Sequence, residues 1–165
     1  MKKKPLVYSH STLSVTLVPI EQLYLICFIE GALVMAVELI GAKMIAPYYG
    51  TSLIVWASII GITLISLSIG YFIGGILSKK SNPAGKLFFV LMSSSVCMVF
   101  MPVSIYLWIK LFDGNNFTIS ALVVSFFLIG PTLCGFGMVS PLIIQLLSNT
   151  QVDPGKSSGT VYGIS

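Results

Sequence analysis

Four long apolar segments, separated by short polar stretches, dominate the pattern of hydrophobic and polar positions. They cover residues 23–46, 52–77, 87–111 and 118–147. Each is long enough for a transmembrane α-helix, which needs about 20 apolar residues to cross the hydrocarbon core of a bilayer. The pattern predicts an all-α, polytopic membrane protein with one transmembrane domain at residues 23–147, an N-terminal tail at residues 1–22 and a C-terminal tail at residues 148–165.

The connections between the segments are short and carry turn-forming residues. Pro47 and Gly50 mark the first connection, and an Asp-Gly-Asn-Asn sequence at residues 113–116 marks the third. Helices joined by so few residues pack as antiparallel neighbours. We therefore expect a four-helix antiparallel transmembrane bundle in which consecutive helices are adjacent.

The composition agrees with a membrane protein and excludes a soluble one. Hydrophobic residues make up 56% of the chain and charged residues 8%, and the mean hydropathy is +0.99, whereas soluble domains carry roughly 25% charged residues. The nine basic residues are all lysines that lie outside the apolar segments or at their ends. This placement differs from a nucleic-acid-binding patch, so we expect the lipid bilayer as the main partner and no nucleic acid.

Lysine placement predicts the orientation of the bundle. On one side lie Lys2, Lys3, Lys4, Lys79, Lys80, Lys86 and Lys156, and on the other lie only Lys43 and Lys110. Because cytoplasmic loops are enriched in lysine and arginine, we expect both termini in the cytoplasm and Lys79, Lys80 and Lys86 in a basic cytoplasmic loop. Trp56 and Trp108 fit an aromatic belt at the opposite boundary. The predicted location is the cell membrane, inner or plasma.

Two acidic residues, Glu30 and Glu38, lie inside the first apolar segment. They are eight residues apart, which separates them by about 80° around a helix. A charge at mid-bilayer costs about 2.5–3.5 kcal/mol, so such residues normally face a bundle interior, a partner or a water-filled path. Glu38 lies nearer the middle and is the first candidate for an intramembrane polar site, and Glu30 is the second. The site binds a cation or a proton, or it locks helices together through a hydrogen-bonded carboxyl; the sequence leaves both hypotheses open.

Small residues in the second segment predict a closely packed helix face. Ser66, Gly70 and Gly74 recur every four residues, a spacing that lets a second helix approach closely in a membrane. Transporter folds usually pair two repeats around a central site, and four helices make only part of such a fold. We therefore expect this face to bind a second copy of the chain, in a homo-oligomer, or another membrane subunit.

The fourth segment is rich in residues that bend or interrupt helices. They are Gly130, Pro131, Gly135, Gly137, Ser140 and Pro141. Proline removes a backbone donor and clashes with the preceding turn, so we expect a kinked or broken helix. Broken helices line substrate sites in many transporters, although a kink can also serve packing alone.

Groups for enzymatic or metal chemistry are sparse in the sequence. Cys27, Cys97 and Cys134 lie in three different apolar segments, and His10, the only histidine, lies in the N-terminal tail. No Cys or His stands at metal-ligand spacing from another, and no Ser, His and Asp set is available for nucleophilic catalysis. We expect no metal, no cofactor and no enzymatic activity.

Three segments resemble the membrane domain of fused major-facilitator/spermidine-synthase-like proteins. They are GALVMAVELIGAKMIAPYYGTSLIVW at residues 31–56, GYFIGGILSKK at residues 70–80, and GMVSP at residues 137–141 together with GKSSGTVYG at residues 155–163. The resemblance covers nearly all of the chain after Leu23 and implies a fold like part of a major-facilitator half. The second segment is also similar to the basic loop motif of major-facilitator transporters, except that Ser78 stands where an aspartate is common. In that family further helices and often a soluble aminopropyltransferase-like domain follow; this sequence ends at Ser165, so we expect no synthase activity from it.

Three hypotheses of function follow from these patterns. The first is a transporter-like membrane module that moves a small cation or a proton-coupled solute, with Glu38, and less directly Glu30, on a polar path closed by the kinked helix. The second is a membrane anchor or scaffold for a separately encoded aminopropyltransferase-like enzyme, bound through residues 78–86 or 148–165 at the cytoplasmic face. The third is a truncated remnant of a fused membrane and synthase protein.

Overall fold

Six helices make up the regular structure of the described chain. The computed structural model describes residues 20–79, 83–112, 116–148 and 154–165. The helices are α1 (Ile20–Tyr49), α2 (Leu53–Ser78), α3 (Pro83–Phe112), α4 (Phe117–Gly137), α5 (Val139–Ser148) and α6 (Pro154–Ile164). Most of the predicted N-terminal tail, and Lys80 of the basic loop, lie outside the described residues.

Four stretches are long and apolar enough to cross a membrane. They are Glu21–Tyr49, Leu53–Ser78, Ala84–Leu111 and Thr118–Ser148, with mean hydropathies between 2.0 and 2.2. Large apolar side chains also cover the outside of the bundle: Leu53 is 85% exposed, Val99 74% and Phe89 72%. An apolar exterior of this kind suits lipid and not water. The predicted all-α, polytopic bundle is therefore confirmed, and the chain is a multi-pass membrane protein.

A tight turn joins α1 to α2. Gly50 adopts the left-handed conformation with φ of 71°, which glycine reaches without the steric penalty of a Cβ atom. Ser52 then caps α2, because its hydroxyl oxygen accepts a hydrogen bond from the Val55 backbone N–H at 3.4 Å. The turn reverses the chain within a few residues and places the start of α2 beside the end of α1.

The tightest helix pair of the bundle is α2 with α4, not a pair of consecutive helices. Ser66 lies against Gly130, and Gly70 lies against Cys134 and Gly137. A Cβ atom on Gly74 would stand 2.8 Å from the Met138 Cα atom. Because these contacts advance in the same direction along both helices, α2 and α4 run parallel.

This arrangement corrects the expectation that consecutive helices are neighbours throughout the bundle. Helices α2 and α3 make only a small contact, whereas α4 contacts α1, α2 and α3 and occupies the centre. Small residues on α2 and α4 allow their backbones to approach closely. The short loops permit consecutive helices to be neighbours, but side-chain size decides which pairs pack tightly.

The fourth apolar segment is interrupted at Met138. Helix α4 ends at Gly137, and the Met138 backbone N–H bonds back to the Gly135 carbonyl oxygen at 3.1 Å. Helix α5 begins one residue later, with Pro141 in its first turn, where the missing N–H costs little. Pro131, in contrast, lies within α4 without ending it.

The segment predicted as a C-terminal tail is partly helical: residues 154–164 form helix α6, which packs on the bundle. Val161 is fully buried, and the Cys27 thiol donates a hydrogen bond to its carbonyl oxygen at 3.4 Å. Helix α6 contacts both α1 and α5. Its serine, threonine and glycine residues lower its hydropathy, so the apolar pattern does not reveal it.

Candidate intramembrane acidic site

Glu30 of α1 is an acidic residue buried inside the bundle. Its side chain is only 2% exposed. The Ser140 hydroxyl of α5 donates a hydrogen bond to its Oε2 atom at 3.3 Å, and the Ser165 hydroxyl, just after α6, donates to the same oxygen at 3.4 Å. One carboxyl oxygen therefore connects three separate parts of the chain.

The interruption at Met138 positions one of these hydroxyls. Ser140 is fully buried and lies in the first turn of α5. The break thus lies within one helical turn of the serine whose hydroxyl reaches the Glu30 carboxyl.

Helix α6 positions the second hydroxyl by running beside α1 in the same direction. Cys27 meets Val161, and three residues further along α1 Glu30 meets Ser165. Gly31 permits this approach, because a Cβ atom at that position would collide with the backbone of Ser165. A glycine next to the acidic residue is therefore what allows the chain after α6 to reach the carboxyl.

Two tyrosines extend the polar cluster from Glu30 toward the surface. The Tyr71 phenol of α2 is half-buried and lies within electrostatic range of the Glu30 carboxyl and the Cys27 thiol. Its ring and that of Tyr162 of α6 form a T-shaped pair, with ring centroids 6.2 Å apart and planes at 88°. Tyr162 is 54% exposed. Side chains from α1, α2, α5 and α6 therefore share one polar region.

The chemistry of this region is that of a single desolvated carboxyl among hydroxyl groups. Burial removes the water that would stabilise a carboxylate, and two hydrogen bonds from hydroxyl groups replace only part of that stabilisation. Such a group can hold and release a proton, or it can bind one small cation with help from hydroxyl oxygens. In the described part of the chain no three His, Cys, Asp or Glu side chains are grouped as a metal site would require.

Glu38, the first candidate from the sequence, lies in a different environment. Its side chain is half-exposed on the flank of α1, next to the fully buried Val37. It is two helical turns from Glu30, about 12 Å along the axis, and no hydrogen bond to its carboxyl is found within the described ranges. The structure does not bring the two acidic residues into one site.

The remaining predicted residues are distributed over several places. Of the basic loop, Lys79 is exposed just after α2, and Lys86 of α3 donates a hydrogen bond from its Nζ atom to the Leu77 carbonyl oxygen at 3.0 Å. Pro131 and Gly135 line a cavity of about 290 Å³ between α3 and α4, away from Glu30. The Ser66, Gly70 and Gly74 face is covered by α4 of the same chain. A second copy or subunit therefore cannot dock on that face as expected, and oligomer formation stays a prediction.

Tyr71, Ser165 and Cys27 are members of the cluster that sequence reasoning missed. Their residue types are common in membrane helices, so none of them stands out by identity. The available signal was positional: Tyr71 directly follows Gly70, and Tyr162 lies within the glycine- and serine-rich segment after Pro154. Small residues mark places where a neighbouring helix comes close, so polar side chains next to them were candidates for contacts between helices.

Comparisons of the chain with protein-family models, with curated proteins and with solved structures found no match. Function is therefore inferred from the geometry of the buried acidic site and from the class of protein that the fold defines, a multi-pass membrane protein.

Proposed function

We propose that the chain is a transporter-like membrane module in which Glu30 carries a proton, or binds a small cation, on a path through the bundle. The observation that carries the proposal is the nearly complete burial of Glu30 between α1, α5 and α6, with hydroxyl groups as its hydrogen-bond partners. Ionisable residues within spanning segments are costly and usually mark ion or proton pathways.

The interrupted helix supports the same proposal. Transporters commonly place discontinuous helices at their binding sites, because the free backbone groups at the break face the ligand. Here the break between α4 and α5 lies one turn or less from Ser140, which contacts Glu30. The resemblance to the membrane domain of fused major-facilitator/spermidine-synthase-like proteins is consistent with a transporter-like module.

Proton flux into vesicles tests the proposal directly. The purified protein is reconstituted into liposomes that contain a pH-sensitive dye, and a valinomycin-generated potassium potential drives protons inward. We expect the native chain to acidify the lumen and Glu30→Gln, which keeps the shape of the side chain but cannot ionise, to lower the rate by about 100-fold, as for loss of a proton-transferring group.

Two matched variants make the result specific to Glu30. Glu21→Gln changes an exposed acid in the first turn of the same helix, and we expect it to keep the native rate. Glu38→Gln tests the half-exposed acid. Loss of flux in Glu38→Gln with normal flux in Glu30→Gln would transfer the role to Glu38. Normal flux in both variants, or no flux above that of empty vesicles in the native chain, would contradict proton transfer by Glu30. Absence of sodium-ion flux in the same vesicles as well would contradict the proposal and favour the anchor hypothesis.

A further inference from the structure

A second cavity lies at the other end of α1, next to the turn that joins it to α2. Its volume is about 220 Å³, and Leu39, Ala46, Val55 and Ile59 form apolar walls between the two helices. The cavity is separate from the Glu30 site, which lies on the opposite half of α1. It is smaller than a typical ligand pocket of roughly 300–1,000 Å³, but it can take part of a flexible apolar chain.

Polar groups are confined to the rim of this cavity. Lys43 is exposed and contributes the one charged side chain among the lining residues, while Trp56 and Thr51 supply an indole N–H and a hydroxyl. No hydrogen bond or ion pair is found for the Lys43 ammonium group within the described ranges. The first turn of α2, which starts at Leu53, adds partial positive charge to the same rim.

The rim lies near the end of the spanning stretch Glu21–Tyr49, where a helix of this length leaves the hydrocarbon core. Lys43 is two turns from the end of α1 at Tyr49, so its ammonium group can extend to the interface while its methylene groups stay in lipid. Trp56 is 39% exposed and Tyr48 is 48% exposed, and such side chains concentrate at the level of lipid headgroups. The apolar cavity therefore opens at the depth of the lipid phosphate groups, and the Lys43 ammonium group is the one cation among the described residues at its opening.

We infer that this cavity is a binding site for an anionic phospholipid. The phosphodiester would contact Lys43 and the Trp56 indole N–H, and the first methylene groups of one acyl chain would occupy the space against Val55 and Ile59. A soluble phosphate ion would match the charge but leave the apolar walls empty. A zwitterionic lipid would fill the walls, but its own ammonium group would oppose Lys43. Only a lipid with net negative charge matches both parts of the site.

Lipid retention measured by native mass spectrometry tests the inference. Phosphatidylglycerol and phosphatidylethanolamine with identical acyl chains are added to the detergent-purified protein, and the bound fraction of each is compared. We expect the native chain to prefer phosphatidylglycerol by about fivefold, the factor that corresponds to about 1 kcal/mol for one lysine near a lipid surface. Lys43→Gln should remove the preference.

Lys110→Gln is the matched control, because Lys110 is also a lysine close to a helix end, in the last turn of α3. It should keep the native preference. Ala46→Leu narrows the apolar part of the cavity while leaving Lys43 in place, and we expect it to weaken retention of both lipids. Inorganic phosphate at millimolar concentration should not displace phosphatidylglycerol.

Several outcomes would overturn the inference. One is the absence of any preference in the native chain, and another is an equal loss in Lys43→Gln and Lys110→Gln. Displacement by inorganic phosphate would show a site for a free anion instead. Because none of these measurements involves proton flux, the inference stands or fails independently of the role proposed for Glu30.

Discussion

Gly70 has no room for a side chain. A Cβ atom there would collide with the Cys134 carbonyl oxygen and stand 3.0 Å from the Gly137 Cα atom. We therefore expect Gly70→Ala to separate α2 from α4 and to destabilise the protein by about 1–3 kcal/mol, the usual cost of overpacking. The measurement is the Tm of the detergent-purified protein. Gly61→Ala is the control, because nothing lies within 4 Å of a Cβ atom at that position, and an equal fall in Tm for both variants would contradict the tight packing of α2 on α4.

Ser140→Ala removes one of the two hydroxyl groups that donate to Glu30. We expect a severalfold lower proton flux, because a lost hydrogen bond of this kind is worth about 0.5–1.5 kcal/mol. Ser125→Ala is a matched control: Ser125 is also fully buried, but its hydroxyl bonds to the Ala121 carbonyl oxygen of its own helix at 2.7 Å. Vesicle flux assays on both variants check the prediction, and an unchanged rate in Ser140→Ala would mean that this hydrogen bond does not support the site.

At the residue scale the sequence identifies the rare acidic residues but does not show which of them is buried in the bundle. Glu30 and Glu38 are both visible because a carboxyl inside an apolar segment is exceptional. Depth along the segment favours Glu38, yet burial depends on which residues of distant segments pack against α1. Ser140 and Ser165 follow Glu30 by 110 and 135 residues, and no local pattern connects them to it. Periodicity therefore predicts the candidates, and only tertiary packing selects between them.

The docking of α6 on α1 is a testable feature at the scale of helices. The Val161 carbonyl oxygen accepts a hydrogen bond from the Cys27 thiol, and both side chains are buried in the same apolar cluster, so Val161→Cys should form a disulfide with Cys27 on mild oxidation. Cys97 and Cys134 are replaced by serine to leave a single possible pair, and mass spectrometry of the digested protein detects the cross-linked peptide. Gly159→Cys, on the exposed side of α6, should remain a free thiol. A disulfide of equal yield at both positions would mean that α6 does not hold the orientation described.

The helix bounds show which parts of the fold the sequence determines. The four apolar segments end within about four residues of the observed spans, since the length of a spanning helix is set mainly by hydropathy. Helix α6 is not visible in the hydropathy pattern, because Ser157, Gly159 and Thr160 dilute its apolar residues. The sequence also does not predict that α2 pairs with α4, because the small residues of α2 indicate close contact with a helix but not with which helix. In the structure, Gly130 and Gly137 of α4 lie against these small residues.

At the scale of the whole molecule, the turn at Thr51 and the end of α2 at Lys79 lie at opposite ends of a spanning helix. Lysine asymmetry predicts that Lys79 faces the cytoplasm and Thr51 faces outward. Both residues are exposed, so Thr51→Cys should react with a membrane-impermeant maleimide in intact cells, and Lys79→Cys should react only after permeabilisation. The native chain is the blank, because its three cysteines lie inside spanning segments. The reverse labelling would place Tyr162 and the rest of the Glu30 cluster closer to the outer face of the membrane than to the cytoplasmic face. Protons would then reach Glu30 first from the outer face.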